Sequence, residues 1–113
     1  MRMWMVNPEL LCNQHLLGEH VECHMFVGHL LKKRKVTNYI NFNLFQPKSL
    51  NERHEQLASE MAKRGMNHRS PLKEFDLSYL PQEQIDHEVN VNESQRELLK
   101  RCPRCRKRYE EIK

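Results

Sequence analysis

The sequence predicts an all-α protein: a single compact domain of three helices with long irregular connections and an extended amino-terminal arm. At 113 residues the chain can form one modest hydrophobic core but not two. Apolar residues recur near the 3.6-residue helical period, and no segment alternates polar and apolar residues as a half-buried strand does. The chain has no 18-residue apolar run and no apolar leader segment, so we expect a cytosolic protein without a membrane partner.

The arm is predicted at residues 1–9, where Asn7-Pro8 ends the extended segment. The first helix is predicted at residues 10–34. Its apolar or nearly apolar positions follow the helical period, at 16, 20, 23, 27, 30 and 31. This stripe predicts that one face of the helix packs against the core.

Glu22 lies on another face of this first helix. That face also carries His15, Gly18, Glu19 and Phe26, one to two turns away. A glycine inside a helix costs about 1 kcal/mol relative to alanine. Gly18 therefore indicates either that a substrate comes close to the backbone there or that the amino-terminal arm packs tightly against it.

The second helix is predicted from the capping box Ser49-Leu50-Asn51-Glu52 to Arg64, with Gly65 as its carboxyl-terminal cap. Its apolar stripe comprises Leu50, His54, Leu57 and Met61. The preceding residues, 36–48, contain asparagines, aromatic residues and turn formers, which predict a loop.

Residues 66–91 are predicted to form an irregular connection, because Pro71 and Pro81 interrupt it. Asn92 is the expected cap of a third helix at residues 93–101, which Cys102-Pro103 would end. We therefore expect a domain at residues 1–101 and a basic tail with a CxxC motif at residues 102–113.

The positive charge of the chain is concentrated in two places. The net charge is +4, and ten of the 19 basic residues lie in two runs, at residues 32–35 and 100–108. Each run can neutralise phosphates and release counterions, which favours salt-dependent binding to nucleic acid. A solvated charged surface is the alternative for either run taken alone.

The segment Leu11-Cys12-Asn13-Gln14-His15-Leu16-Leu17-Gly18-Glu19-His20-Val21-Glu22 resembles the amino-terminal motif of the phage endonuclease V type pyrimidine-dimer DNA glycosylases. That motif is leucine, two variable residues, Gln-His-Leu, two more, Glu, two more, Glu. Further matches follow in the same order as in the family. They are Arg2, Gly28, Lys32, Ala62-Lys63-Arg64-Gly65, Pro81-Gln82-Glu83, His87-Glu88 and Ser94-Gln95. The resemblance covers roughly residues 1–101 and implies a glycosylase/AP-lyase domain acting in a bacterial cell or a phage-infected host.

The resemblance implies that an amino-terminal α-amine is the nucleophile and that Glu22 is the catalytic carboxylate. In the family the attacking residue is a threonine exposed by methionine removal. Here Arg2 is bulky enough to prevent that removal, so the amine of Met1 takes the same register. The amine would form a Schiff base with the sugar of a pyrimidine dimer, and no cofactor is implied.

The resemblance also implies a DNA-binding surface on a monomer that binds double-stranded DNA containing a damaged base. The residues expected to contact DNA are Arg2, Gln14, His15, Lys32, Lys33, Arg64, Arg96 and Arg101. His68 and His87 are further candidates. Val21 and Met25 stand where the family has phosphate-binding arginines, and the family's Trp- and Tyr-rich tail is missing.

Two alternatives to dimer excision follow from these departures. The same imine chemistry could act on another damaged or modified base, or the chain could be a non-catalytic nucleic-acid-binding protein. For the cysteines, Cys102 and Cys105 form a C-x2-C pair that could bind zinc with Cys23 or with His20 and His24. Cys12 and Cys23 share roughly one helix face and could join the pair only if the fold brings the tail back. Reduced thiols without metal are the other expectation for a cytosolic protein.

Overall fold

A computed structural model of the chain describes residues 1–67 and 70–113. Within these ranges the chain is helical and forms no strand, which confirms the all-α class. The helices lie at α1 (Asn13–Leu31), α2 (Thr37–Asn41), α3 (Leu50–Lys63), α4 (Gln82–Ile85), α5 (Val91–Arg101) and α6 (Pro103–Ile112), with 3-10 turns at Pro8–Leu10 and Pro47–Ser49. In this described part, no helix is both long enough and apolar enough to cross a bilayer.

The expected count of three helices is too low. The predicted loop at 36–48 contains α2 and the start of a 3-10 turn, the connection at 66–91 contains α4, and the tail forms α6. Helices of four or five residues are too short to show a periodic pattern. The tail pattern was hidden because charged residues, basic and acidic together, fill most of its positions.

Helix α1 carries the predicted core stripe, with Leu16, Cys23, Val27 and Leu30 buried and Leu31 half exposed. It begins three residues later than expected, because Pro8–Leu10 forms a separate turn and Cys12 takes the N-cap position. Helix α3 packs against α1, and α6 packs against both α5 and the Pro8–Leu10 turn.

The ends of α3 and α5 correct two capping predictions and confirm one. Ser49 stands at the start of α3, but its hydroxyl accepts from Gln46 Nε2 at 2.7 Å and caps no backbone amide. Helix α5 is capped by Asn90, whose Oδ1 accepts from the amide of Glu93 at 3.1 Å, and not by Asn92. Gly65, with φ of 78°, ends α3 as expected, and residues 65 and 66 donate back into its last turn.

The amino-terminal segment is built into the core. Met3, Trp4 and Val6 are buried, and the amide of Met3 donates to the carbonyl of Leu44 at 2.7 Å. The hydroxyl of Ser94 on α5 donates to the Trp4 carbonyl at 2.6 Å. Residues 1–7 have no regular secondary structure, yet these contacts hold the segment against α5 and against the connection that precedes α3.

Candidate active site

The terminal amine lies beside Glu22. Met1 N is 3.6 Å from Glu22 Oε1, and the backbone amide of Arg2 donates to the same oxygen at 3.2 Å. The buried side chains of Met3 and Trp4 determine this position, because they hold the chain as it approaches α1. The structure thus brings together an amine and a carboxylate that are separated in sequence by the amino-terminal segment and the first half of α1.

Glu22 is partly buried, with 27% of its side chain exposed. Burial raises the pKa of its carboxyl group, and the nearby negative charge of Glu19 adds to that effect. The positive amine and the amide of Arg2 act in the opposite direction, but burial prevails. A carboxyl group with a raised pKa holds protons more readily, as general acid–base chemistry requires.

An open depression of about 540 Å³ lies next to this carboxylate, lined among others by Trp4, Gln14, His15 and Gly18. A side chain added at Gly18 would meet no heavy atom within 4 Å. Tight packing of the amino-terminal segment therefore does not explain this glycine. The bare helix surface at Gly18 opens to the same depression as Glu22, and a substrate contact there stays a prediction.

Arg2 connects the amine to α5. Its guanidinium lies 3.6 Å from the centroid of the Trp4 ring and donates to Glu97 Oε2 at 3.0 Å. Arg101 is 2.6 Å from the other oxygen of Glu97 and is well exposed. Two of the arginines expected to contact DNA therefore share one carboxylate close to the terminal amine.

The other expected DNA contacts are more widely distributed. Gln14 accepts from Arg104 Nη2 at 2.7 Å, at the exposed start of α1. Lys32 and Lys33 are exposed at the far end of α1, about 15 Å along the helix axis from Glu22. Arg96 is exposed on α5.

Arg64 makes contacts that support the fold. Its guanidinium donates to Glu60 Oε2 at 2.9 Å and to the Pro8 carbonyl at 3.1 Å. Its contact with DNA stays a prediction.

A buried ion pair between α1 and α3 was not predicted from the sequence. Glu19 is fully buried and receives two hydrogen bonds from Arg53, at 2.6 and 2.9 Å, while Arg53 Nη1 also donates to the Val6 carbonyl at 2.7 Å. The pattern that could have revealed it is a charged residue within the apolar stripe of each helix. Opposite charges on two packed core faces require pairing.

Two groups of side chains have metal-ligand geometry within the described residues. Cys12, His15, Cys102 and Cys105 form one group, and His20, His24 and His54 form the other. Of the expected partners of the tail cysteines, Cys12 joins their group, whereas Cys23, His20 and His24 do not, because the tail returns to the start of α1. All four cysteines of the chain are buried and carry free thiols.

The remaining histidines have different surroundings. Burial, together with the nearby charge of Arg104, lowers the pKa of His15. His87 pairs with the Phe45 carbonyl at 2.9 Å and so holds a connection in place. His68 lies outside the described residues.

Comparison with known proteins identifies the family of this chain. No curated protein and no solved structure matches it significantly. A family model described as "Pyrimidine dimer DNA glycosylase" matches residues 1–74, about two thirds of the chain, including the amine, Glu22 and the whole of α1 and α3. The chain therefore belongs to the pyrimidine dimer DNA glycosylase family.

Proposed function

We propose that this protein is a DNA repair glycosylase with AP-lyase activity, which excises pyrimidine dimers through a Schiff base formed by the α-amine of Met1. The observation that carries the proposal is the 3.6 Å separation between this amine and Glu22 Oε1 at the edge of an open depression. Membership of the family supports DNA with a pyrimidine dimer as substrate.

In this mechanism the neutral amine attacks C1′ of the damaged nucleotide. The new C–N bond displaces the base, which leaves with the bonding electrons and is protonated. Loss of the amine proton and opening of the sugar ring give an imine between Met1 and C1′. Glu22 accepts and returns protons in these steps, and its carboxylate stabilises the positive charge that develops on the sugar.

The same imine allows strand cleavage. Removal of a proton from C2′ expels the phosphate attached to C3′ by β-elimination, and hydrolysis then releases the amine. Glu22 is the nearest carboxylate for this proton, because its Oε1 already lies beside the amine and the amide of Arg2. One carboxylate thus serves base excision and strand cleavage in turn.

The charges around the amine suit a DNA backbone. Arg2 and Arg101 meet at Glu97 next to the terminus, and Gln14 with Arg104 lies at the start of α1. Phosphates near these groups would place the sugar at the depression beside Glu22. Access to C1′ requires distortion of the duplex or base flipping, at a cost of a few kcal/mol that these contacts would offset.

Borohydride trapping tests this proposal. Untagged protein is reacted with duplex DNA carrying a thymine dimer or an abasic site, and peptide mapping locates the reduced adduct. We expect an adduct at Met1 on both substrates, lost when a Gly-Ser dipeptide extends the amino terminus. Glu22→Gln should abolish cleavage and keep the affinity for DNA within about tenfold of that of the unmodified protein. Glu52 is an exposed carboxylate on α3, and Glu52→Gln serves as the matched control.

A second function keeps the chemistry and changes the damaged base. It is favoured by Val21 and Met25, which are 46% and 48% exposed on α1 where the family resemblance leads one to expect phosphate-binding arginines. Trapping on the abasic site without trapping on the dimer would support this alternative. Tight binding without an adduct on either substrate would refute both and leave a non-catalytic DNA-binding protein.

A further inference from the structure

Two short motifs separated by 90 residues meet at the start of two helices. Cys12 is the N-cap of α1 and His15 follows in its first turn, while Cys102 is the N-cap of α6 and Cys105 follows in the same way. Both pairs have two intervening residues, the spacing with which zinc-binding knuckles place two ligands on one ion. The amide of Cys12 donates to Cys105 Sγ at 3.2 Å, so the two motifs are in direct contact.

The ligand atoms have the separations of a tetrahedral site. With Zn–S of about 2.3 Å and Zn–N of about 2.0–2.1 Å, tetrahedral angles place two sulfurs about 3.8 Å apart and a sulfur and a nitrogen about 3.5 Å apart. Cys12 Sγ is 3.9 Å from Cys102 Sγ, and His15 Nδ1 is 3.2 Å from Cys12 Sγ and 3.6 Å from Cys105 Sγ. All four ligand atoms lie within 4.8 Å of one another.

The surroundings of the cluster suit thiolates. The amides of His15 and Cys105 each donate to the N-cap sulfur of their own helix at 3.4 Å. Helix N-termini favour negative charge, and two of them converge here. Three thiolates, one neutral imidazole and a divalent ion carry a net charge of −1, which the basic side chains along α6, including Arg104, complement.

A disulfide or an exposed redox pair explains these positions less well. All four cysteines are free, and the sulfurs of Cys12 and Cys102 lie 3.9 Å apart, whereas a disulfide has an S–S bond of about 2.05 Å. Reactive cysteine pairs need exposure, whereas Cys12, Cys102 and Cys105 are buried. A redox pair would also have no use for a third thiol and an imidazole at ligand distance.

We propose that Cys12, His15, Cys102 and Cys105 bind one structural zinc ion that fastens α6 to the start of α1. Sulfur-rich tetrahedral sites select zinc, and four protein ligands leave no open position for catalysis. The ion would hold Arg104 beside Gln14 and anchor α6 to α1. His15 would use Nδ1 for the metal, leaving only Nε2 for any contact with DNA.

Elemental analysis of untagged protein tests the site without reference to activity. We expect one zinc per chain, and more than a tenfold loss of zinc content in Cys102→Ser/Cys105→Ser. Cys23→Ala is the matched control, since this buried cysteine belongs to neither group of ligands and its replacement should leave the zinc content unchanged.

Cobalt titration of metal-free wild-type protein gives a second readout that does not depend on whether the double variant folds. Saturation at one Co²⁺ per chain with thiolate-to-cobalt charge-transfer and tetrahedral d–d absorption would support the site. Failure of the folded, reduced protein to bind Zn²⁺ or Co²⁺ would overturn it. Zinc retained by Cys102→Ser/Cys105→Ser but lost in His54→Ala would also overturn it, because the metal would then lie at the histidine group.

Discussion

Replacing Arg53 with methionine should lower the free energy of unfolding by about 3–5 kcal/mol, because it leaves the Glu19 carboxylate buried without its counter-charge. Glu19 is 0% exposed and Arg53 is 2% exposed, so solvent does not screen the pair. The loss is large for a domain of this size, whose total stability is typically about 5–15 kcal/mol. At about 4 °C per kcal/mol, Tm should fall by roughly 12–20 °C.

The double variant Glu19→Leu/Arg53→Met separates the cost of an unpaired buried charge from the other contributions to the loss of stability. It removes the carboxylate, but the Val6 carbonyl still lacks the hydrogen bond that Arg53 Nη1 donates. We therefore expect the double variant to cost only about 1–3 kcal/mol, the penalty of one buried unsatisfied carbonyl.

Urea denaturation followed by circular dichroism measures both variants. The control is Arg101→Met, whose ion pair with Glu97 is exposed and should contribute less than about 1 kcal/mol. A loss below 1 kcal/mol in Arg53→Met, or an equal loss in the single and double variants, would refute the argument that a stranded charge dominates.

Three further predictions concern the site and the capping of α5. Burial raises the pKa of Glu22 and the mechanism needs its carboxylate, so the cleavage rate should decrease as pH is lowered through that raised pKa, above the ordinary glutamate range. The free energy of unfolding should change in the opposite sense and decrease as pH rises through the same window, because the folded state favours the protonated carboxyl group. A pH–rate profile checks the first and denaturation across pH the second. Gly18→Ala should raise the unfolding free energy by about 1 kcal/mol while lowering kcat/KM on dimer DNA, and unchanged kinetics would remove the case for substrate contact. Asn90→Ala should cost about 1 kcal/mol in thermal or chemical denaturation, whereas Asn92→Ala should cost almost nothing, and the reverse order would contradict the observed cap.

The sequence predicted the parts of the fold that depend on local order. The stripe containing Leu16, Cys23 and Val27 predicted the buried face of α1, because a long helix repeats its pattern often enough to be recognised. Gly65 predicted the end of α3, because few other residues adopt its positive φ at low cost. Ser49 shows the limit of local rules. Its capping-box sequence predicts a hydrogen bond to a backbone amide of α3, but its hydroxyl accepts from the Gln46 side chain instead.

The meeting of distant segments could not be predicted from spacing. The approach of Cys105 to Cys12 and the pairing of Arg53 with Glu19 depend on how the helices pack. Local patterns indicate that each of these groups needs a partner, but not which distant residue supplies it. The proximity of the amine to Glu22 is a different case, because the resemblance to the family implies it. Its distance of 3.6 Å is what the structure adds.

The position of the proposed nucleophile, the α-amine of Met1, depends on the core rather than on the site itself. An amino terminus normally frays, because few contacts restrain it. Here the chain is restrained by the buried side chain of Met3, by the Ser94 hydroxyl on the Trp4 carbonyl and by Arg53 on the Val6 carbonyl. Since Arg53 also pairs with Glu19, one turn from Glu22, the same arginine holds both the segment that carries the amine and the helix that carries the carboxylate. In the proposed mechanism, the catalytic geometry and the stability of the fold therefore depend on the same buried arginine, and a fall in kcat in Arg53→Met below its melting transition would measure that coupling.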